Sequence, residues 1–307
     1  MGESKVEEQA GRRAEFGRLS PVDVDPTQRR WRSPHLFAAP ERGRTYGALV
    51  LLLPGTGGEP SHYSALCLQA VRMGFHVLSL RYPNDISINE LAGDDPAAHL
   101  DLRLDHWDGG DRTGKVRLAR GESILERFRG ALLHLARTRP AEGWEAYLEG
   151  NEPAWGKIRA VGHSLGGGYA ALASRLHALE RAVVLGWSDR VPGTGQPAEW
   201  IGDARDWPTP VRARLGMRHR SDERVDEEGW DATASKYLFA PEERSVEGGD
   251  PPWGRCRNLS TDLDPAADRA VPDPRHNSLA YDPCLARWAD GTPVLLDAWT
   301  WLLAGDP

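Results

Sequence analysis

Residues 157–173 read Lys-Ile-Arg-Ala-Val-Gly-His-Ser-Leu-Gly-Gly-Gly-Tyr-Ala-Ala-Leu-Ala, and this stretch decides the fold. The β-like run from Ile158 to Val161 predicts a strand that ends in the turn Gly162-His163-Ser164-Leu165-Gly166. Small residues from Leu165 to about His177 predict a helix directly after the turn. The segment therefore has the G-x-S-x-G pattern in a strand–turn–helix context, which gives this short pattern its meaning.

The turn predicts an exposed serine hydroxyl. Such a sharp turn strains the backbone of Ser164 and carries its Oγ clear of the sheet, and glycine at 162 and 166 avoids the collisions that side chains would cause. The helix that begins at Leu165 directs free N–H groups and the positive end of its dipole at whatever Ser164 attacks. The alternative interpretation is a Gly-rich strand-to-helix turn with a capping serine.

Strands alternate with helices along the rest of the chain. Continuous apolar runs predict buried strands at 47–53, 75–80, 181–187 and 209–216, a last strand at 256–263, and two edge strands within 19–39. Amphipathic patterns predict helices at 122–137 and 293–303, with another after residue 61. With no internal repeat or composition break, we predict one α/β domain over 19–307 with a mostly parallel, doubly wound sheet. Residues 1–18 are polar and predict a disordered or loosely docked tail.

A long polar segment, residues 81–118, interrupts this alternation. It is rich in aspartates, namely Asp94, Asp95, Asp101, Asp105, Asp108 and Asp111. Their spacing fits no EF-hand calcium loop, so we interpret the segment as an insertion that forms a solvated loop over or beside the active site. The twelve tryptophans have two interpretations, large packing residues or an aromatic lining of a pocket.

The bulk composition restricts the compartment and the partners. The 307 residues carry a net charge of −7, which disfavours nucleic acid and anionic membrane surfaces. No apolar run has the length of a membrane span and the first residues lack a secretory segment, so we predict a soluble, cytoplasmic protein without stable membrane insertion. The three cysteines fit no metal-ligand spacing and no complete disulfide framework, although pairing of Cys256 with Cys284 stays open.

A serine nucleophile needs a base to take its proton and an acid to orient that base. Only His177, His219 and His276 follow Ser164, and His276 lies in a Pro-rich loop after the last predicted strand. We therefore predict His276 as the base. His177 lies on the helix that leads away from the turn, and His219 precedes the acid in what we predict to be the same loop. His163 is too constrained within the turn to reach the neighbouring hydroxyl.

Two aspartates compete for the role of the acid. Asp222 follows the strand that ends at Gly216, and Asp189 follows the strand at 181–187. We predict Asp222 and keep Asp189 as the alternative acid. The alternative interpretation of Asp222 is a solvated charge run, because Glu223, Arg224 and Asp226 are its neighbours.

An oxyanion hole needs two backbone N–H groups. Leu165 follows the serine directly at the start of a helix and supplies one of them. We predict that Thr56, within the glycine-rich loop Gly55-Thr56-Gly57, supplies the other. A phosphate loop is disfavoured because G-x-x-x-x-G-K-[ST] is absent.

With these motifs, the chain resembles the α/β-hydrolase superfamily from about residue 45 onward. The resemblance rests on Leu51-Leu52-Leu53-Pro54-Gly55-Thr56-Gly57-Gly58, the Gly162–Gly167 turn, the Thr209-Pro210-Val211 segment with Asp222, and His276. It implies a sheet of about eight strands flanked by helices, with the site at the carboxyl ends of the strands. Pro54 replaces the histidine usual in the oxyanion loop, which matters little because the hole uses backbone N–H groups.

The function expected from this resemblance is a serine hydrolase that cleaves a small-molecule carboxylic ester or thioester. Ser164, Asp222 and His276 form the catalytic triad, and the expectation includes no cofactor and no metal. Acyl transfer or perhydrolysis by the same triad, and a non-catalytic binding protein with this fold, are the alternatives. The oligomeric state, the substrate and closure of residues 81–118 as a lid stay open.

Overall fold

A nine-stranded sheet forms the centre of the computed structural model, which describes residues 16–93, 95, 97–191, 196–202, 204–266 and 271–306. The strands of the chain are β1 (Gly17–Leu19), β2 (His35–Ala38), β3 (Leu49–Leu53), β4 (His76–Ser79), β5 (Leu148–Glu149), β6 (Glu152–Pro153), β7 (Ile158–His163), β8 (Arg181–Leu185), β9 (Arg214–His219), β10 (Arg244–Ser245) and β11 (Asn258–Thr261). The large sheet has the order β1-β2-β4-β3-β7-β8-β9-β11-β10, and β5 pairs with β6 separately. From β4 to β10 all neighbours are parallel, while β2 is antiparallel to both β1 and β4.

Helices cover both faces of this sheet. They are α1 (Pro21–Val24), α2 (Ser64–Arg72), α3 (Ile88–Ala92), α4 (Ala98–Asp108), α5 (Ile124–Thr138), α6 (Leu165–Leu176), α7 (Glu227–Thr233), α8 (Pro274–Asn277) and α9 (Leu296–Ala304). Helices α2 and α9 pack with one core cluster, and α4, α5 and α6 pack with the other. The prediction of a mostly parallel, doubly wound α/β fold is confirmed.

The apolar run of β3 shows why this strand lies at the centre. All five of its side chains are buried, as expected for a parallel strand with helices on both faces. Leu49, Leu51 and Leu53 belong to one core cluster, whereas Val50 and Leu52 belong to the other. The two-residue period of a strand thus supplies both cores from one apolar run.

The connections after β3 and β7 leave the sheet in opposite directions. Strand β3 has β4 on one side and β7 on the other, and the helices that follow β3 and β7 lie on opposite faces. Such a reversal opens a crevice at the carboxyl ends of the strands, where α/β proteins bind ligands. The glycine-rich loop at 54–58 and the Ser164 turn meet at this position.

The structure differs from the sequence analysis in several elements. Within the residues that the structure describes, the sheet has nine strands instead of about eight. The strand predicted at 209–216 begins only at Arg214, because Pro210 leads into a 3₁₀ turn, Val211–Ala213, and it continues to His219. His219 therefore ends a strand, and its predicted position in a loop is wrong. Strand β1 begins inside the range 1–18 assigned to a tail, of which residues 1–15 lie outside the described part.

The segment 81–118 is not the solvated loop that its polar composition predicted. It contains helices α3 and α4, and Asp105 within α4 is fully buried. The Asp105 carboxylate accepts hydrogen bonds from the N–H groups of Arg112 (2.8 Å) and Thr113 (3.0 Å) and from the Thr113 hydroxyl (2.7 Å). This aspartate therefore folds the insertion onto itself. Asp94 lies outside the described residues.

Two further expectations concern the cysteines and the membrane. Cys67, Cys256 and Cys284 take part in no disulfide among the described residues, so the bond left open between the last two is not formed. Within the described ranges, no helix combines the length and apolarity required to cross a membrane.

Candidate active site

The turn between β7 and α6 holds Ser164 in a conformation that few residues adopt. Its φ is 53° and its ψ is −121°, and its N–H donates to the carbonyl of Leu185 at 2.8 Å. A Cβ added at Gly162 would lie 2.0 Å from the carbonyl oxygen of Gly166, and one added at Gly166 would lie 1.9 Å from that of Leu53. Both positions therefore require glycine, as the sequence analysis inferred from the sharpness of the turn.

His276 and Asp222 meet beside this turn although 54 positions separate them in the chain. Nδ1 of His276 lies 2.9 Å from both carboxylate oxygens of Asp222. The Asp222 Oδ1 also accepts from the N–H groups of Arg224 (2.7 Å) and Val225 (2.9 Å). Burial opposes ionisation of Asp222, but the hydrogen bond from His276 and these two N–H groups outweigh it and hold the pKa of this carboxyl below its ordinary value. An ionised Asp222 fixes the proton of His276 on Nδ1.

The other imidazole nitrogen, Nε2 of His276, is therefore left as an acceptor. It is buried, and it has no hydrogen-bond partner within the part of the chain that the structure describes. Ser164 and His276 line the same cavity, but no hydrogen bond joins the Ser164 hydroxyl to this nitrogen in the described structure. Bonds of this kind are often long before substrate binds and tighten in the substrate complex.

Glu223 fixes the backbone that carries His276. Its two carboxylate oxygens accept from the N–H groups of His276 (2.8 Å) and Arg275 (3.2 Å) at the start of the short helix α8. The next residue, Arg224, donates from Nε to Asp273 at 2.6 Å, immediately before α8. The run after Asp222, whose alternative interpretation was a solvated charge run, thus contacts the His276 segment. In the sequence, only adjacency to Asp222 pointed to this role of Glu223, so the role was not predicted.

A buried hydrogen-bond chain joins the three loops of the site. The N–H of Gly55 donates to the Tyr63 hydroxyl at 2.9 Å, and this hydroxyl lies 3.0 Å from Nδ1 of His163. Nε2 of His163 lies 3.0 Å from the carbonyl oxygen of His276. Because a carbonyl only accepts, Nε2 of His163 carries the proton, and Nδ1 accepts from Tyr63. We call Gly55, Tyr63, His163 and the His276 carbonyl the loop-linking chain.

His163 stays neutral in this chain. Burial lowers its pKa to about 3, so the imidazole carries no charge near neutral pH. His163 was not predicted as the base, and its structural role was not predicted either. Tyr63 lies 100 residues away in the chain, and no local pattern connects the two.

The two predicted oxyanion donors both line the cavity that contains Ser164. In the described structure, the N–H groups of Thr56 and Leu165 have no hydrogen-bond acceptor, and Thr56 is exposed. A Cβ added at Gly55 would lie 3.2 Å from Cβ of Ser164, so the glycine-rich loop packs directly against the serine. Asn84 holds this loop in place, because its amide donates to the carbonyls of Gly55 (2.7 Å) and Gly58 (2.8 Å).

The alternative acid, Asp189, has a different partner. Its carboxylate forms an ion pair with Arg103, with Nε of Arg103 at 2.7 Å from Oδ2 and Nη2 next to Oδ1. The indole N–H groups of Trp187 (3.1 Å) and Trp200 (2.8 Å) donate to the same carboxylate. Burial opposes the charge of Asp189, but Arg103 outweighs it and keeps the pKa of Asp189 low. The structure thus brings Asp222, and not Asp189, to His276.

The cavity has a volume of about 510 Å³ and opens to solvent. Helix α3 and Arg103 of α4 form one wall, so the insertion at 81–118 borders the site. Three carboxylates and two guanidinium groups belong to the lining, namely Glu90, Asp189, Asp273, Arg103 and Arg224. Of the tryptophans, Trp187 lines the cavity, while Trp200 packs behind it against Trp207.

Comparison with known proteins adds the following findings. No protein-family model and no curated protein matches this chain. Among solved structures, it is similar to a protein assigned as a dienelactone hydrolase from Klebsiella pneumoniae, with 12% identity over 80% of this chain and 83% of the other and a TM-score of 0.40. An α/β serine hydrolase without a lid from Xanthomonas campestris shares 13% identity over 82% and 83%, with a TM-score of 0.37. A thermophilic esterase from Thermogutta terrifontis shares 12% over 81% of each chain, with a TM-score of 0.38. Because these values are low, the fold class rests on the sheet order and the Ser164 turn of this chain.

Proposed function

We propose that this chain is a serine hydrolase that cleaves a carboxylic ester through an acyl-enzyme intermediate. The observation that carries the proposal is the meeting of the Asp222–His276 pair with Ser164 in one cavity. Ser164 is held in its strained turn, so its hydroxyl is positioned before substrate binds.

In the first step, Ser164 Oγ attacks the acyl carbonyl carbon. Nε2 of His276 takes the hydroxyl proton, and the ionised Asp222 stabilises the imidazolium that results. The carbonyl oxygen becomes an oxyanion and accepts from the N–H groups of Thr56 and Leu165. The positive end of the α6 dipole lies at Leu165 and favours the same negative charge. When the tetrahedral intermediate collapses, His276 returns the proton to the leaving alkoxide and the alcohol departs.

In the second step, water replaces the alcohol. His276 takes a proton from this water, which attacks the acyl carbon, and Ser164 leaves with the proton that His276 holds. The products are a carboxylic acid and the free enzyme, and no cofactor takes part in these steps. A thioester would follow the same sequence, with a thiol as the leaving group.

The test is hydrolysis of short and medium p-nitrophenyl acyl esters by the wild type and by Ser164→Ala. We expect Ser164→Ala to lose turnover by on the order of a thousandfold or more. A fluorophosphonate should label the wild type, and mass spectrometry should place the label on Ser164.

Ser188→Ala is the matched control, because Ser188 lines the same cavity but lies outside the turn. This variant should still be labelled at Ser164. A wild type that neither hydrolyses esters nor takes the label would support the non-catalytic alternative. A product that changes from acid to a new ester or a peracid when alcohol or peroxide is added would identify acyl transfer or perhydrolysis by the same triad.

A further inference from the structure

Two residues of the cavity lining contain a buried polar atom without a hydrogen-bond partner among the described residues. They are His276, at Nε2, and Arg103, at Nη1. The proposed mechanism uses the His276 nitrogen. It gives no role to Arg103, whose side chain is 1% exposed.

Several contacts hold Arg103 in place. Its Nε and Nη2 both bind Asp189, and its guanidinium lies over the rings of Tyr169 and Trp200 at 5.1 and 5.6 Å from their centroids. A Cβ at Gly168 would lie 2.2–2.3 Å from the guanidinium atoms, so glycine at this position makes room for the group. Nη1 is the nitrogen of this guanidinium that has no hydrogen-bond partner among the described residues.

Arg103 lines the same cavity as Ser164. The N–H of Gly168 is 3.4 Å from the carbonyl oxygen of Ser164, so the two residues are one helical turn apart on α6. One turn advances a helix by about 5.4 Å. Gly168, against which the guanidinium of Arg103 packs, therefore lies one turn along α6 from Ser164.

The charges of the lining determine which kind of oxygen can accept a hydrogen bond from Nη1. Asp189 neutralises Arg103, and Asp273 is paired with Arg224. Glu90 adds a further carboxylate to the same wall, so the lining holds more acidic than basic groups. A carboxylate on the substrate would be repelled by this excess of negative charge. An uncharged carbonyl oxygen would accept a hydrogen bond from Nη1 without such repulsion.

We propose that Arg103 and Asp189 form a recognition pair for an uncharged acceptor oxygen of the substrate, a few bonds from the scissile ester. The substrate class is therefore an oxygen-bearing ester, such as an oxo-acyl ester, and not a plain alkyl or lipid ester. This inference rests on the proposed hydrolase function, in which an ester bound at Ser164 would place the second oxygen next to Arg103.

The experiment compares substrates that differ at one carbon. On the acyl side, p-nitrophenyl 4-oxopentanoate is compared with p-nitrophenyl pentanoate, in which CH₂ replaces the carbonyl group, and with the mono-p-nitrophenyl ester of succinate, which has a carboxylate at the same carbon. On the alcohol side, 3-oxobutyl acetate is compared with butyl acetate. Spontaneous hydrolysis is subtracted, and kcat/KM is measured at pH 7.5.

We expect the wild type to favour the oxo member of one pair by at least tenfold in kcat/KM, with the succinate ester disfavoured. A ratio within twofold in both pairs, or a preference for the succinate ester, overturns the inference. Fluorophosphonate labelling of Ser164 in the same preparation separates the two proposals. Labelling without oxo preference refutes only the recognition pair, whereas absence of labelling and of all ester hydrolysis refutes the hydrolase proposal and the inference that rests on it.

Two variants test the pair itself. Asp189→Asn removes the neutralising charge, so the ratio of succinate to oxopentanoate activity should rise at least tenfold. Arg103→Met combined with Asp189→Asn removes the donor without leaving a buried charge, so the oxo preference should fall to within twofold. Stoichiometric labelling of Ser164 verifies that each variant is folded. An unchanged ratio in a labelled Asp189→Asn variant would contradict the charge argument.

Discussion

The Tyr63→Phe substitution tests the loop-linking chain. The phenyl ring keeps its packing, but the change removes the hydroxyl that accepts from the N–H of Gly55 and donates to His163. Tyr63 is fully buried, so no bulk water replaces these bonds. Each buried group left without a partner costs about 1–3 kcal/mol, and two such groups give about 2–6 kcal/mol in the free energy of unfolding.

The same substitution should lower turnover, because Gly55 precedes the proposed oxyanion donor Thr56. The glycine-rich loop packs against Ser164, and a displacement of about 1 Å at an active site can cost about a hundredfold in rate. We expect kcat to fall by about ten- to a hundredfold, measured on a p-nitrophenyl ester, together with the loss of stability measured by urea unfolding.

Tyr147→Phe is the matched control. The Tyr147 hydroxyl lies 2.7 Å from Nδ1 of His76, whose Nε2 lies 2.7 Å from the carbonyl oxygen of Glu142, so the same chemistry recurs away from the cavity. This variant should lose about 1–3 kcal/mol in stability and keep its kcat. If Tyr63→Phe keeps kcat within twofold while both variants lose the same stability, the loop-linking chain does not position the site.

Three further predictions concern the acid, the turn and the buried histidines. Asp222→Asn should lower kcat by about 10⁴-fold in steady-state assays, because the histidine loses its orienting charge, and a loss below tenfold would argue against this acid. Gly166→Ala should lower the free energy of unfolding, measured in urea, by about 3 kcal/mol or more, because the new Cβ would collide with backbone atoms. The control Gly156→Ala, where a Cβ has nothing within 4 Å, should change this free energy by less than about 0.5 kcal/mol. Equal losses in the two variants would contradict the geometry. Burial lowers the pKa of His35 and of His163 to about 3. Below pH 6.5 the unfolded chain therefore binds more protons than the folded protein. The stability that these two neutral histidines contribute is present above that pH and declines as the pH falls toward 3. From pH 7 to 5.5 these two residues should together remove about 2.5 kcal/mol from the free energy of unfolding, and a constant value over that range would show that their burial is not maintained.

The sequence predicted the elements whose patterns are local. The apolar run of β3, the Gly162–Gly166 turn and the amphipathic pattern of α5 each lie within one short segment, and all three take the predicted form. Chain order also brought His276 and Asp222 together as candidates, because the acid and the base must follow the serine turn on successive loops. The structure places their side chains within hydrogen-bond distance.

The parts that escaped prediction depend on side-chain partners that no sequence pattern marks. The composition of 81–118 indicated solvent exposure, yet Asp105 is buried and accepts from the N–H groups of Arg112 and Thr113, seven and eight residues later. Asp189 looked like a second candidate acid because it follows a strand, and its partner Arg103 lies 86 residues earlier. A sequence pattern records which groups can ionise, but the partner that holds each charge is set by the packing of the sheet and the helices.

The segment 81–118 after β4 supplies a wall of the cavity, whereas the groups proposed to react with the substrate lie on other loops. The groups of the proposed reaction come from the loops after β3, β7 and β9 and from α8, whereas the wall with Arg103 comes from α3 and α4. If the proposed function holds, exchanging residues 81–118 for a segment of other shape would change which substrate the cavity binds and leave Ser164, Asp222 and His276 in place. The coupling between the two modules passes through Gly168 and Asp189, so these two positions should vary together with the insertion during evolution.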